Sequence, residues 1–416
     1  LRTPLFKVSS LNALSIAIRL VTGAMMSKLM AIFIGPSGLA LVGNLRNFMA
    51  SAETLVILGF QNGIIKYSAK KKENQGEFGV FLYSLLIFLT VLSLAAGAVL
   101  FLFSDFASIY LFDTSYYSRI IKAMALALPF YAILAFMIAV INGLGKFRQV
   151  TYINMWISAT SLIVSGILVW QVHLTGAMIA VVLGPIVSFF ISLRYFLRSI
   201  PEKIKTHFDG RVIKKLSSYS LMTLVPAVIG PFVLIAVRNE LIDSQGMDAA
   251  GYWEGMNRLS TYYMMFLGAL LTSYYLPKLS LSNSPAETGR VMRNYFKGVM
   301  PVFIIGLIVI YLFRGLVVKL LFTEDFLPMR SLFAWQLAGD FLKGISLILA
   351  YNFFAEKKTW IYIGTELFSL CVLYFSAQTL IARYALDGVV MAHCFTYTIY
   401  LVVLLMLNGK YLRRAT

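Results

Sequence analysis

Apolar runs of about 18 or more residues recur from one end of this chain to the other, the length that crosses a bilayer's hydrocarbon core as a helix. In lipid the backbone N–H and C=O groups find no water. Each crossing segment must satisfy its own as a helix or join a closed barrel. Barrel strands would read as segments of about ten residues with alternating polarity, and the runs here do not alternate. Twelve spans are expected, at roughly 9–33, 38–63, 78–103, 117–142, 151–171, 175–197, 217–241, 251–276, 293–313, 331–354, 359–382 and 386–408. Composition agrees: 59% of the 416 residues are hydrophobic and 13% are charged, against roughly a quarter charged in an ordinary soluble domain. That balance excludes a disordered, collagen-like or disulfide-stapled chain. The two cysteines, Cys371 and Cys394, both lie in apolar runs, and no CxxC spacing exists for a metal or redox site. The first apolar run carries Arg19 and Lys28 and lacks a small-residue cleavage site, so it reads as a span and not as a cleaved signal. Starting at Leu1 without a Met, the chain is expected to lack its first residues.

The net charge of +18 would suggest nucleic acid in a soluble protein. In a membrane chain it first tests orientation. With the N-terminus in the cytoplasm, the cytoplasmic segments hold 24 of the 36 Lys and Arg residues, including Lys70, Lys71, Lys72, Lys203, Lys205, Lys214, Lys215, Lys278, Arg290, Lys358 and Arg414. The outer segments hold six: Arg119, Lys122, Arg314, Lys319, Arg330 and Arg383. Both termini are therefore expected in the cytoplasm. The basic excess is topological and can meet anionic headgroups, so no nucleic-acid partner is expected.

The longest basic connection, 199–216, contains Pro201, Asp209 and Gly210 and follows six spans. It reads as a cytoplasmic linker between an N-terminal lobe, 1–198, and a C-terminal lobe, 217–416. Gly38, Gly43, Tyr67 and Lys70 recur 208 residues later as Gly246, Gly251, Tyr275 and Lys278, and Leu111-Phe112 recurs as Leu321-Phe322. Six is even, so both halves run the same way, as in parallel-repeat transporters. The expected fold is an all-α polytopic membrane protein, with twelve transmembrane helices in two pseudo-symmetric six-helix lobes around a central cleft.

A charge at the centre of a transmembrane helix costs on the order of 3 kcal/mol on insertion scales, so it usually faces a cavity or a partner. Within the spans lie Arg19, Lys28, Arg46, Arg238, Arg258 and Lys343, together with Glu53, Glu240, Glu254, Asp340 and Glu366. Arg19, Arg46, Arg258 and Asp340 sit about 12–15 Å along their helices, near mid-depth. Arg238 and Glu240 lie near an outer end, where they can snorkel. Asp340 with Lys343 (i, i+3) and Glu254 with Arg258 (i, i+4) can pair on one helix face. Arg19 and Arg46 have no acid at pairing distance in their own spans. An anionic ligand is the expected partner, because the planar guanidinium fork grips phosphate oxygens bidentately while Lys28 would act as a point charge. Buried carboxyls can carry protons, and Glu53, Asp340 and Glu366 are the candidates. His393 reads as a satisfied core histidine, with proton relay as the alternative. The Tyr-Tyr pairs at 116–117, 262–263 and 274–275 read as interfacial belt and packing, with sugar stacking as the alternative. No phosphate-binding loop, HExxH or GxSxG string occurs. Neither an enzyme activity, a metal nor a cofactor is expected.

Several strings resemble those of the Wzx-type flippases of bacterial polysaccharide assembly, within the multidrug/oligosaccharidyl-lipid/polysaccharide exporter superfamily. They are IGPSGL at Ile34–Leu39, FQNGIIKY at Phe60–Tyr67, GYWEG at Gly251–Gly255, YLPKL at Tyr275–Leu279 and LFAWQLAGDFLK at Leu332–Lys343. The last string carries the likeness to lipid III and O-antigen flippases. The resemblance implies movement of an undecaprenyl-pyrophosphate-linked oligosaccharide from the cytoplasmic to the periplasmic leaflet of the bacterial inner membrane. It also implies a cationic cavity and rocking lobes, with a polysaccharide polymerase and a chain-length regulator as further partners. By position, Arg19, Lys28, Arg46, Arg238 and Arg258 become candidate substrate-binding cations. Asp340 and Lys343 belong to the matching motif and, with Glu53 and Glu366, form the ion-coupling set. A cation-coupled multidrug exporter of the same superfamily is the alternative. Its site should be acidic, whereas the mid-depth charge here leans positive.

Overall fold

The computed structural model describes residues 2–71, 74–200 and 207–413. Of the cations that set the expected orientation, Lys72, Lys203, Lys205 and Arg414 lie outside these residues. Among the described residues there is no strand. The order is α1 (Arg2–Ile57), α2 (Gln61–Lys71), α3 (Gln75–Leu102), α4 (Ser104–Phe112), α5 (Ser118–Gly143), α6 (Phe147–Leu197) and α7 (Gly210–Gln245). Then come α8 (Met247–Leu270), a π-helical turn (Leu271–Tyr275), α9 (Leu276–Leu281), α10 (Pro285–Gly298), α11 (Met300–Leu312), α12 (Arg314–Leu321), a 3-10 segment (Glu324–Leu332), α13 (Phe333–Ala355) and α14 (Thr359–Arg413). The all-helical membrane fold expected from the apolar runs is borne out.

Three helices, α1, α6 and α14, are 56, 51 and 55 residues long. At 1.5 Å per residue each is about twice the length that spans a bilayer. Each breaks near its middle: α1 at Gly35 (φ 63), α6 at Val172 and His173 (φ 46), α14 at Ala385 (φ 52). At the first break glycine tolerates the positive φ and Pro36 then restarts the helix without needing an N–H partner. Among the described residues, eight helical segments are long and apolar enough to cross a membrane. The three breaks make eleven crossings of them, and α8, with 24 residues, is the twelfth. Asp248, Glu254 and Arg258 lower its hydropathy.

The element order repeats along the chain. α3 starts at Gln75 and α10 at Pro285, α4 at Ser104 and α12 at Arg314, and α6 and α14 at Phe147 and Thr359. Gly35 and Gly246 are two of the four positive-φ glycines and occupy matching places in this order. The backbone therefore pairs Gly246 with Gly35, not with Gly38 as matching letters suggested.

Contacts divide the chain into two compact units, Leu1–Phe33 with Leu41–Phe232, and Ile34–Ala40 with Val233–Thr416. In the first, Ile57, Phe60, Ile64, Phe78, Phe81, Leu85, Phe136, Val140 and Leu216 form a buried core that ties α2, α3 and α5 to the start of α7. α7 begins at Gly210, inside the segment read as linker. In the second unit Phe322 and Phe326 stack at 4.9 Å, and both are fully buried. Here the short segment Ile34–Ala40 meets α8. A Cβ on Gly251 would lie 2.0 Å from the Pro36 carbonyl oxygen, and Ser37 Oγ donates to Asp248 Oδ1 at 2.6 Å. That contact gives a physical reason for the glycine opening the GYWEG string.

Candidate functional site

The second unit holds two buried polar clusters built on α7, α8, α13 and α14. The first centres on Glu254. α8 places Glu254 and Arg258 one turn apart, and Arg258 Nε donates to Glu254 Oε1 at 3.0 Å. α7 brings Arg238, whose Nη2 donates to Glu254 Oε2 at 2.6 Å and whose guanidinium lies 5.3 Å from the Trp253 ring. Arg238 is 1% exposed, so it does not snorkel to an outer surface as its place in the sequence suggested. Its charge is held inside by one oxygen of Glu254 and an aromatic face. One carboxylate between two guanidinium groups leaves this triad with one net positive charge.

The second cluster centres on Asp340, which is fully buried. Its Oδ2 accepts from Ser260 Oγ at 2.7 Å, from Gln336 Nε2 at 3.2 Å and from the Tyr263 hydroxyl. Its Oδ1 lies 3.0 Å from His393 Nε2. The expected i, i+3 partner Lys343 instead has its ammonium 5.2 Å from the Tyr397 ring centre. The His393 ring packs on Tyr397 at 4.9 Å, and Tyr397 on Tyr400 at 6.1 Å. Tyr400 donates to Glu366 Oε1 at 2.6 Å. A continuous polar and aromatic path therefore joins Asp340 to Glu366 through α13 and both halves of α14. Three donors converge on one carboxylate oxygen, and the path contains side chains with exchangeable protons.

Gly339 lets α13 pass close to His393 on α14. A Cβ there would lie 2.4 Å from His393 Cδ2 and 3.0 Å from the Cys394 Cα. Gly339→Ala should therefore push the imidazole off Asp340. We expect at least a fivefold loss of transport with folded protein retained, read as substrate movement per molecule of purified protein in vesicles. Unchanged transport would show that the His393–Asp340 contact is dispensable.

The structure brings together Arg238 with Arg258, and Asp340 with Lys343 and Glu366. The remaining candidates all sit on α1 in the first unit. Arg19 is exposed and Lys28 half-buried before the Gly35 break. Arg46 is exposed and Glu53 half-buried after it, two turns apart on one helix face. His393 was legible as a buried histidine, but not its carboxylate partner. Ser260, Tyr263, Gln336 and Tyr400 were not singled out individually. Their only signals were the helical spacings of Ser260 with Tyr263, Gln336 with Asp340, and His393 with Tyr397 and Tyr400.

A family model described as polysaccharide biosynthesis protein matches residues 29–331. The chain is 28% identical over 408 residues to the lipid III flippase of Escherichia coli (strain K12), covering 95% of this chain and 96% of that one. The lipid III flippase of Shigella flexneri matches with the same identity and coverage. Among solved structures, an inward-facing MATE family multidrug transporter of the MOP superfamily superposes with a TM-score of 0.76 at 12% identity, covering 95% of this chain and 96% of that one. The lipid II flippase MurJ in an inward closed conformation superposes with a TM-score of 0.73 at 16% identity, covering 99% and 90%. The fold is thus of the kind shared by these transporters, and the family resemblance carried by the sequence strings is borne out.

Proposed function

The chain belongs to the polysaccharide biosynthesis protein family, and we propose that it is a flippase moving an undecaprenyl-pyrophosphate-linked oligosaccharide from the cytoplasmic to the periplasmic leaflet. The observation that carries this reading is the buried Arg238–Glu254–Arg258 triad with its net positive charge. A lipid diphosphate is an anion whose polar glycan cannot cross about 30 Å of hydrocarbon unaided. A transporter for it needs fixed positive charge within the membrane, whereas an exporter of organic cations needs the opposite. The named function of the relatives that align over nearly the whole chain agrees with this choice.

On this reading Arg238 and Arg258 of the second unit hold the diphosphate, and Arg19, Lys28 and Arg46 of the first unit are further cations that attract it. Lobes 1–198 and 217–416, joined by 199–216, alternate access to the two leaflets. Asp340, with Lys343 and Glu366 and with Glu53 in the first unit, couples the cycle to a proton gradient. The protein sits in the bacterial inner membrane with both termini cytoplasmic, alongside the polymerase and chain-length regulator that use its product. Cysteines introduced into 199–216 should label only from the cytoplasmic side, and labelling from the periplasm would overturn the orientation.

The substrate reading is tested at Arg19 and Arg46. Replacement by Ala should lower surface glycan at least tenfold, normalised to folded protein, in cells lacking the native gene. Lys should restore part of it, keeping charge without the planar fork. Glu should be worst, since it sets like charge against the diphosphate. Full surface glycan from both Ala and Glu variants would make these arginines structural and return the drug-exporter reading.

A further inference from the structure

A second cationic site lies about four helical turns beyond Arg258, where α8 ends and α10 begins. The helix changes there to a single π turn, Leu271–Tyr275. Such bulges are irregularities that tend to mark functional positions. The turn leaves Tyr274 exposed while Tyr275 is buried, edge-on against Tyr295 at 5.1 Å. Tyr295 donates its hydroxyl to the Gly344 carbonyl at 2.8 Å, so the floor is fixed to α13. Above that floor lies a cleft of about 390 Å³, into which Tyr274, Lys278, Leu281, Glu287, Arg290 and Asn294 project.

The charges in this cleft are unequally available. Glu287 is engaged by the start of α10: its Oε2 accepts from the Asn283 N–H at 2.9 Å, and its own N–H donates to Ser284 Oγ at 3.3 Å. That is close to a capping box, with the N–H of Asn283 in place of the N-cap N–H, and the carboxylate serves the helix terminus. Lys278 is held in place, with Nζ donating to the Tyr274 hydroxyl at 2.5 Å and standing 4.1 Å from that ring's centre. Its remaining ammonium protons can reach a ligand. Arg290 is exposed, and Asn294 follows it by one turn on the same face of α10. The positive pair sits beside exposed apolar surface, Leu281 at 76% and Tyr274 at 50%. A free anion would use the cations alone. An amphiphile whose phosphate sits at headgroup level uses both.

We propose that this cleft binds the phosphate-bearing headgroup of a lipid at the cytoplasmic surface, Lys278 and Arg290 gripping the phosphate oxygens while Tyr274 and Leu281 flank the first carbons of the chain. Its place on the cytoplasmic side rests on the orientation proposed above. Charge-assisted bonds from an ammonium and a guanidinium are the strong class for phosphate, and they act at the depth where headgroups lie. A transporter that takes an anionic lipid from this leaflet gains a local store of it.

The test is binding, separate from transport. Full-length protein is placed in nanodiscs of neutral phosphatidylcholine and titrated with geranyl diphosphate, a lipid diphosphate short enough to dissolve. The double variant Lys278→Gln/Arg290→Gln should bind at least tenfold more weakly, and Tyr274→Leu several-fold more weakly. Lys278→Arg should stay within about threefold of the parent. Lys70→Gln removes one positive charge from an exposed lysine at the end of α2 and should change binding less than twofold. Two further arms identify the source of the phosphate. Inorganic pyrophosphate binding as tightly as geranyl diphosphate would overturn the lipid part of the proposal. Discs containing phosphatidylglycerol that block the probe in the parent but not in the double variant would support the site and show that bulk anionic lipid fills it. Equal binding by parent and double variant, or an equal loss in Lys70→Gln, overturns the site. Flipping measured on the same preparations keeps the two readings apart. A parent that binds the probe but flips nothing retains this site and loses the proposed function. A double variant that binds and flips like the parent loses the site alone.

Discussion

In Glu254→Ala the yield of folded, monodisperse protein is expected to collapse. Glu254 is the carboxylate between Arg238 and Arg258, and its side chain is 9% exposed. Removing it leaves two neighbouring guanidinium groups in a buried site without their shared counter-charge. Breaking a buried ion pair from one side costs about 3–5 kcal/mol, a large part of the 5–15 kcal/mol that typically separates folded from unfolded states. Replacing the whole triad should behave differently. Arg238→Met/Glu254→Leu/Arg258→Met removes the attraction and the desolvation cost together, and buried triads exchanged for apolar side chains of similar volume are often neutral or stabilising. The triple variant should therefore recover folded protein while its flipping stays at least tenfold below the parent, because the positive charge offered to the diphosphate is gone. Size-exclusion yield and thermal stability read the first effect, and vesicle flipping the second. A triple variant that folds and flips normally would make the triad a helix clamp. Glu254→Ala with parental yield would contradict the burial on which both expectations rest.

The sequence made the crossings legible because lipid imposes one rule on every span. The apolar run and the need to satisfy the backbone locally together define a helix of about 20 residues. Even the expected gap between the fifth and sixth spans coincides with the backbone break at Val172 and His173. The i, i+4 pairing of Glu254 with Arg258 was legible for the same reason, since it lies within one helix. What the sequence concealed was contact between helices. Arg238 looked like an end-of-span cation because depth along its own helix was the only available coordinate. Only packing of α7 on α8 shows it buried against Glu254 and Trp253. His393 had no visible partner because Asp340 is 53 residues away on another helix. Gly339 shows the limit most clearly. In the string it is an ordinary small residue before an acid, and its purpose appears only where His393 comes within a Cβ's reach.

The Asp340 cluster leads to the other large effect. Asp340→Asn should abolish the response of flipping to a pH gradient while leaving gradient-free exchange within about threefold of the parent. Asn keeps the size of the side chain, and its amide oxygen can take the place of Oδ2, accepting from Ser260, Tyr263 and Gln336. Its amide NH2 then faces His393 Nε2, which must accept and cannot carry a proton on that nitrogen. The variant thus holds the fold and fixes the imidazole in one neutral tautomer. The charged groups around it, Lys343 on the same helix and Glu366 on the first half of α14, keep their places, as do Tyr263, Tyr397 and Tyr400. In the proposed cycle the Asp340–His393 pair passes a proton as access alternates, which needs a carboxylate facing the ring nitrogen. His393→Gln should give the same loss of gradient response from the other side of the contact, because glutamine can donate to Asp340 but cannot gain charge. Asp340→Leu should instead lose folded protein, since it leaves three buried donors without an acceptor at about 1–3 kcal/mol each. The measurement is flipping of a lipid-linked oligosaccharide in vesicles with and without an imposed pH gradient, the membrane potential being clamped. If Asp340→Asn and His393→Gln both respond to the gradient as the parent does, the cluster only ties α8, α13 and α14 together. Coupling would then fall to Glu366, to Glu53 or to exchange without a driving ion.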